Sequence, residues 1–253
     1  MLWGRFASRA SEARYPQLWA GRVFGVCPSV QGPAGLNVYD LSGRGRHATL
    51  NNMDPPTDWV RNQGLYSLDF DGTLDNVSFP TITFTGPFSL SLWCLKRTNG
   101  SANEREVIGH NTDANVWFGF TSTTSLLSGS TSGAKAFSGS ITNNTINHVV
   151  ATRDGGNTAR VFINGNESST GGLSMTGNMP MNLLGQYLTG SGGSGLYSWD
   201  GWIDDVAFYN RALTAGEIRL LATRRGIAYE ARRDVLGGTT ANRLRRILCG
   251  GNC

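Results

Sequence analysis

From about Val23 to Asn210, apolar and polar positions alternate in short runs broken by turn clusters, the pattern of an antiparallel sandwich whose strands bury one face. Phe88 to Lys96 states it most clearly, with Phe88, Leu90, Leu92 and Cys94 on one side and small polar residues between them. Leu65 to Phe70 predicts a strand closed by Asp71-Gly72, and Val116 to Thr121 an aromatic-rich one. A hairpin is expected where Asn147 to Arg153 and Ala159 to Ile163 flank Asp154-Gly155-Gly156-Asn157. Asn164-Gly165 accepts the positive φ of a type I′ turn, so a further strand should begin within a few residues of it. Ser122 to Ser140 and Thr189 to Ser198, rich in Ser, Thr and Gly, read as loops or edge strands. Helical period enters late: Thr214 and Glu217 form a capping box, Ile218, Leu221 and Ala222 share a face, and the helix should stop near Gly226. Asn242 to Leu248 can form a short amphipathic turn.

Composition narrows this picture. With 34 Gly, 8 Pro and only 16% charged residues in 253, long-helix and coiled-coil architectures are excluded, while 39% hydrophobic content is enough for a packed core. No run reaches the ~18 apolar residues of a membrane span, and the first twenty-five residues lack the continuous apolar stretch of a secretory signal, so neither a membrane role nor signal-directed export is expected. The charge is divided: residues 1–25 carry +3, residues 211–253 carry +6, and the middle carries −5. Only Lys96 and Lys135 among the basic residues are lysine. Arginine's planar fork suits carboxylate or phosphate partners. Three segments follow: an N-terminal arm over 1–22, a sandwich over 23–225 and a basic C-terminal arm over 226–253. Four cysteines are too sparse for a disulfide framework; Cys94 belongs to an apolar strand face, Cys27 precedes Pro28 at a strand end, and Cys249 and Cys253 are a late disulfide or two free thiols.

Asp40-Leu41-Ser42-Gly43-Arg44-Gly45-Arg46-His47-Ala48-Thr49-Leu50 resembles the opening signature of laminin-G-like domains of the concanavalin A-like lectin/glucanase superfamily. Three more segments agree in order: Leu68 to Gly72, His148 to Gly165, and Gly201 to Leu213 followed by Glu217-Ile218. The likeness spans about residues 23–222 and departs at Ile146-Asn147, where the family commonly has Trp-His. It implies an all-β fold of two curved antiparallel sheets of jelly-roll type, with a short C-terminal helix and basic terminal arms, and leaves the ligand open.

A glycosidase needs two carboxylates flanking the sugar bond. The family's E-x-D-x-x-E strand is absent, Glu104 and Glu106 sit in a polar segment that reads as a solvated turn, and His47, His110 and His148 lack a nucleophile context, so no catalysis is expected. Calcium is the one cofactor the loops could hold, through Asp71, Asp75, Asn76, Asp204 and Asp205, although Asp204 and Asp205 face opposite sides of a strand unless it bulges. Carbohydrate could meet Asn182, Tyr187, Tyr197, Trp199 and Asp200, aromatic rings beside amide and carboxylate groups. In the arms, Trp3, Arg5, Arg9, Arg14, Arg232, Arg233, Arg243, Arg245 and Arg246 are the expected docking residues. Lectin-like sandwiches act outside cells, and domains of this length with a basic tail resemble those among phage structural proteins. The expected role is a non-catalytic virion protein, a capsid decoration protein or a fibre component, self-associated and bound to other virion subunits, with a host surface glycan as a further ligand. Nucleic acid is the rival partner of the arms, and a bacterial carbohydrate-binding or adhesion module is the alternative function.

Overall fold

The computed structural model describes residues 13–99, 104–168, 171–186 and 197–231. In chain order the first strands are β1 (Arg22–Val26), β2 (Asn37–Val38), β3 (Ala48–Asn51), β4 (Trp59–Asn62), β5 (Leu65–Asp71), β6 (Asn76–Phe84), β7 (Phe88–Lys96), β8 (Glu104–Gly109) and β9 (Trp117–Thr121). There follow β10 (Thr124–Gly129), β11 (Gly133–Ser138), β12 (Ile146–Arg153), β13 (Thr158–Ile163), β14 (Asn166–Glu167), β15 (Leu173–Ser174), β16 (Met179–Leu184) and β17 (Asp200–Tyr209). A helix, Ala215–Leu221, comes after the last strand.

The strands form two antiparallel sheets. The larger runs β14-β13-β12-β7-β17-β5-β4, with β1 added on β17 and β15 on β13; the smaller runs β11-β10-β9-β8-β16-β6-β3-β2. Central neighbours are far apart in sequence: β7 lies between β12 and β17, and β16 between β6 and β8. Alternation decides which side chains meet between the sheets. Phe88, Leu90, Leu92 and Cys94 of β7 join Val149, Val161, Ile203 and Phe208 of the same sheet and Phe79, Phe118, Phe120 and Met181 of the other in one buried cluster. The intervening serines of β7 face outward. There the Ser89 hydroxyl donates to the Arg211 carbonyl and accepts from the Leu213 amide, fixing the chain that leads into the helix.

The hairpin stands as the punctuation predicts: β12 pairs with β13, Asn164 and Gly165 take φ of 51° and 83°, and β14 begins at once. Thr214 and Glu217 close the capping box. The helix ends earlier than expected, at Leu221 with Ala222 as its cap, and Gly226 at φ 72° opens a 3-10 turn over Ile227–Tyr229. The Ser122–Ser140 stretch supplies β10 and β11, at the edge of the smaller sheet.

The arms differ from expectation where they are described. Leu18 is fully buried with Val150, Phe162, Tyr209, Ile218, Leu221 and Ile227 in a second cluster on the outer face of the larger sheet, and Tyr15 and Tyr229 pack against it. The Trp19 indole donates to the Ala228 carbonyl and its ring lies edge-on to Tyr229. Apolar groups at 15–19 and 227–229 are therefore satisfied by the chain's own sheet and need no partner. Ala13 bridges Ala231, the Arg14 amide donates to Glu230, and the Arg14 guanidinium pairs with the Glu230 carboxylate.

The Asp40–His47 signature is a brace. The Asp40 carboxylate accepts from the amides of Gly25, Ser42 and Arg46 and from the Ser42 hydroxyl, tying the loop to β1, while His47 Nδ1 accepts from the Asp40 amide. Asp40→Ala should leave these buried amides unpaired and lower stability by about 2 to 4 kcal/mol. Urea unfolding checks it; a loss below about 1 kcal/mol would show that the loop closes without the carboxylate.

Candidate functional site

The residues expected to hold carbohydrate do not form one platform. Trp199 is fully buried, packed near the Phe120 ring, with its indole N–H towards the Trp202 carbonyl. It is a core residue and offers no face to a sugar. Asp200 pairs with Arg97 and accepts from the Thr98 hydroxyl. Tyr197 is partly exposed, its carbonyl accepting from the Glu106 amide. Tyr187 lies outside the described residues. Asn182 sits at a bulge of β16, where its amide clasps Asn111: Oδ1 accepts from the Asn111 backbone amide and Nδ2 donates to the Asn111 side-chain oxygen.

The expected calcium ligands also separate. Asp71 caps its own turn by accepting from the Thr73 amide and hydroxyl, and Asp75 accepts from the Asp71 amide. Asn76 is engaged with neighbouring amides. Asp204 and Asp205 lie on β17 beneath the outer layer, and the strand is bulged between Asp204 and Ala207, with Asp205 at φ 45°. Asp204 accepts from the Ser29 amide and pairs with Arg225, while Asp205 accepts from the Gly226 amide and lies 4.0 Å from Arg22. Burial, with the Asp205 carboxylate beside it, pushes the Asp204 pKa up to about 7. These two are arginine partners of the terminal segments. Among the described residues no cluster of three or more His, Cys, Asp or Glu is placed to hold a metal ion.

Catalytic candidates fare similarly. Glu106 is in a strand and buried, not in a solvated turn; the side chain of Glu104 lies outside the described residues. His148 Nε2 is 3.0 Å from the Ser91 hydroxyl, but both residues are at most 2% exposed, so no substrate reaches them. Of the docking residues, only Arg14 is described; Trp3, Arg5, Arg9, Arg232, Arg233, Arg243, Arg245 and Arg246 lie outside, as do Cys249 and Cys253.

The arrangement that remains is a groove on the outer face of the smaller sheet. Inward residues Leu50, Val77 and Leu184 pair across β3, β6 and β16, so Thr49, Ser78 and Leu183 of the adjacent register face out. Asn51 stands opposite Asn76. The Asn51 amide donates to Asn76 Oδ1 and the Ser78 hydroxyl oxygen, and the Asn76 amide donates onward to Gln186 Oε1 and the Leu74 carbonyl. The resulting amide ladder crosses three chain segments and borders a cavity of about 510 Å³, which Asn52, Asn111, Leu74 and Leu183 complete. Its size falls in the range of small-molecule sites. The ladder fixes the orientations of these amides.

Two antiparallel sheets packed over one apolar core define a β-sandwich. A family model described as "Concanavalin A-like lectin/glucanases superfamily" matches residues 71–219, and the chain belongs to that superfamily. A search of curated proteins gave no match. Among solved structures, domain 4 of the extracellular arabinanase AbnA of Geobacillus stearothermophilus, in complex with arabinotriose, is 18% identical with TM-score 0.60, over 81% of this chain and 99% of that one. Trypanosoma rangeli sialidase in complex with sialic acid is 18% identical with TM-score 0.59, over 80% of this chain. The matched region spans about a third of the sialidase, 32% of its length. The binding domain of Paraclostridial Mosquitocidal Protein 1 is 15% identical with TM-score 0.58, over 81% and 52% of the two chains. At these identities the likeness is one of fold.

Proposed function

We propose that this chain is a non-catalytic carbohydrate-binding sandwich whose ligand lies in the groove bordered by Asn51, Asn76, Ser78 and Gln186. The amide ladder carries the reading: it is a preorganised row of hydrogen-bonding groups over a cavity of about 510 Å³, on a face where the sheet needs no further packing. Buried Glu106 and the sealed Ser91–His148 pair supply no accessible acid, base or nucleophile. The arabinanase domain, bound to arabinotriose, lends the fold a sugar-binding precedent. A glycan array probed with the full chain tests this reading: binding to at least one glycan family without hydrolysis is expected, and release of reducing ends would overturn the non-catalytic part.

The place of action we propose is the surface of a phage virion, with the sandwich displayed as a decoration or fibre subunit. One observation favours it over a free adhesion module. Ala13 of the N-terminal arm (1–22) bridges Ala231 of the C-terminal arm (226–253), which supports reading the two arms as a single anchor. Arginine there suits a carboxylate-rich protein surface, with affinity that falls as salt rises. Removal of 232–253 spares the buried Ile227 and Ala228 and should abolish binding to emptied capsids. Unchanged capsid binding, or loss of duplex DNA binding alone, would overturn the virion reading.

A further inference from the structure

We infer that the groove selects neutral oligosaccharides and rejects anionic ones; this rests on the carbohydrate reading above and deepens it. The argument is one of charge. Every side chain lining the cavity is uncharged: carboxamides, the Ser78 hydroxyl, and Leu74 and Leu183. A sugar carboxylate drawn out of water needs a cation or several converging N–H donors, and an uncompensated buried charge is heavily penalised. Among the described residues, the guanidinium groups of Arg97, after β7, and Arg105, on β8, are committed elsewhere. Arg97 pairs with Asp69 and Asp200. Arg105, 8% exposed, donates to the carbonyls of Ser198 and Gly72 and to the Thr98 hydroxyl.

The other described neighbours add negative charge or none. Leu74 and Asn76 flank Asp75, itself beside Asp71, so the groups behind the groove wall are carboxylates. His110, next to Asn111, accepts at Nδ1 from the Asp113 amide, and burial lowers its pKa, which keeps the ring neutral near pH 7. In the ladder itself, the Asn51 and Asn76 amide hydrogens are already given to oxygens of the chain. The same bonds occupy the Asn76 and Gln186 side-chain oxygens, so the feature that bears on a carboxylate is the uncharged lining, which holds no cation to pair with it. Leu74, half exposed at the rim, provides apolar contact for the C–H face of a sugar ring.

The test is calorimetric titration of the full chain with arabino-, xylo- and manno-oligosaccharides and with 3′-sialyllactose and oligogalacturonate. Ser78→Arg and Leu74→Arg are measured alongside, each checked for an unchanged melting temperature. Binding of a neutral series, at least tenfold preferred over both acidic probes and weakened at least about tenfold in either variant, is the expected result. Preference for an acidic probe would overturn the selectivity while leaving carbohydrate binding in place. Neutral binding undiminished in both variants would place the sugar outside the groove. No binding to any probe would remove the carbohydrate reading itself.

Discussion

Val161→Asp is expected to destabilise the protein by at least about 4 kcal/mol. Val161 is fully buried, paired with Ala151 across the β12–β13 hairpin and turned into the layer between the sheets. The substitution removes an apolar side chain worth about 2 kcal/mol of burial and places there a carboxylate with no cation or donor, itself costing several kcal/mol. Against a total stability of about 5–15 kcal/mol, such a loss decides folding. Arg160, its neighbour, faces outward and pairs with Asp154 and Glu167, so Arg160→Ala should change stability by no more than about 1 kcal/mol. Equal losses at the two positions would mean that the strand's faces are assigned the wrong way round.

The second large effect is a pH dependence centred on His148. Burial lowers its pKa from 6.5 to about 3, with Nε2 held against Ser91. Between those values the unfolded chain binds a proton that the folded chain refuses, so this group's contribution is intact above pH 6.5 and is lost as pH falls towards 3. Between pH 7 and 4.5 the loss amounts to about 2 to 3 kcal/mol. Asp204 and Asp75 work the opposite way. Their folded pKa values, raised chiefly by burial to about 7 and about 6, give stability that is present in acid and lost as pH rises through those values. His148→Gln, able to keep the Ser91 hydrogen bond, removes one side of this opposition. Its stability relative to the parent should therefore improve by about 2 to 3 kcal/mol on acidification from pH 7 to 4.5. Parallel stability curves for parent and variant would show that His148 titrates normally in the fold.

Much of the sandwich could be read from local pattern. The β7 alternation, the turns at Asp154–Asn157 and Asn164-Gly165, and the Thr214/Glu217 box are each specified by residues close in sequence. The groove was not legible for the opposite reason. Asn51, Asn76 and Gln186 come together only because β3 pairs with β6 and β16 with β6, and nothing local announces pairings across so many residues. Asn76 suits a metal site by its residue type alone; its amide partners, Asn51 and Gln186, are set by the strand pairing. An outward Asn or Ser in each of two strands was the available signal. Trp199 illustrates the complementary error: an aromatic beside a Gly-rich stretch has the same sequence signature whether it stacks on a sugar or fills the core. Asp204 and Asp205 were misread because a bulge and two distant arginines, Arg22 and Arg225, convert an apparent acidic pair into internal ion pairs. Tyr15, Leu18 and Trp19 of the N-terminal arm are apolar, and the surface that covers them is the protein's own.

The central claim, that the amide ladder is a sugar site, is tested most directly by following the side-chain amide resonances of Asn51, Asn76 and Gln186 by NMR while the full chain is titrated with arabino-oligosaccharide and the other neutral series. Saturable shifts of these three amides, with the Asn147 and Asn164 amides of the β12–β13 hairpin unmoved, are the predicted result. Saturable binding that leaves the ladder amides in place and moves resonances elsewhere would contradict it.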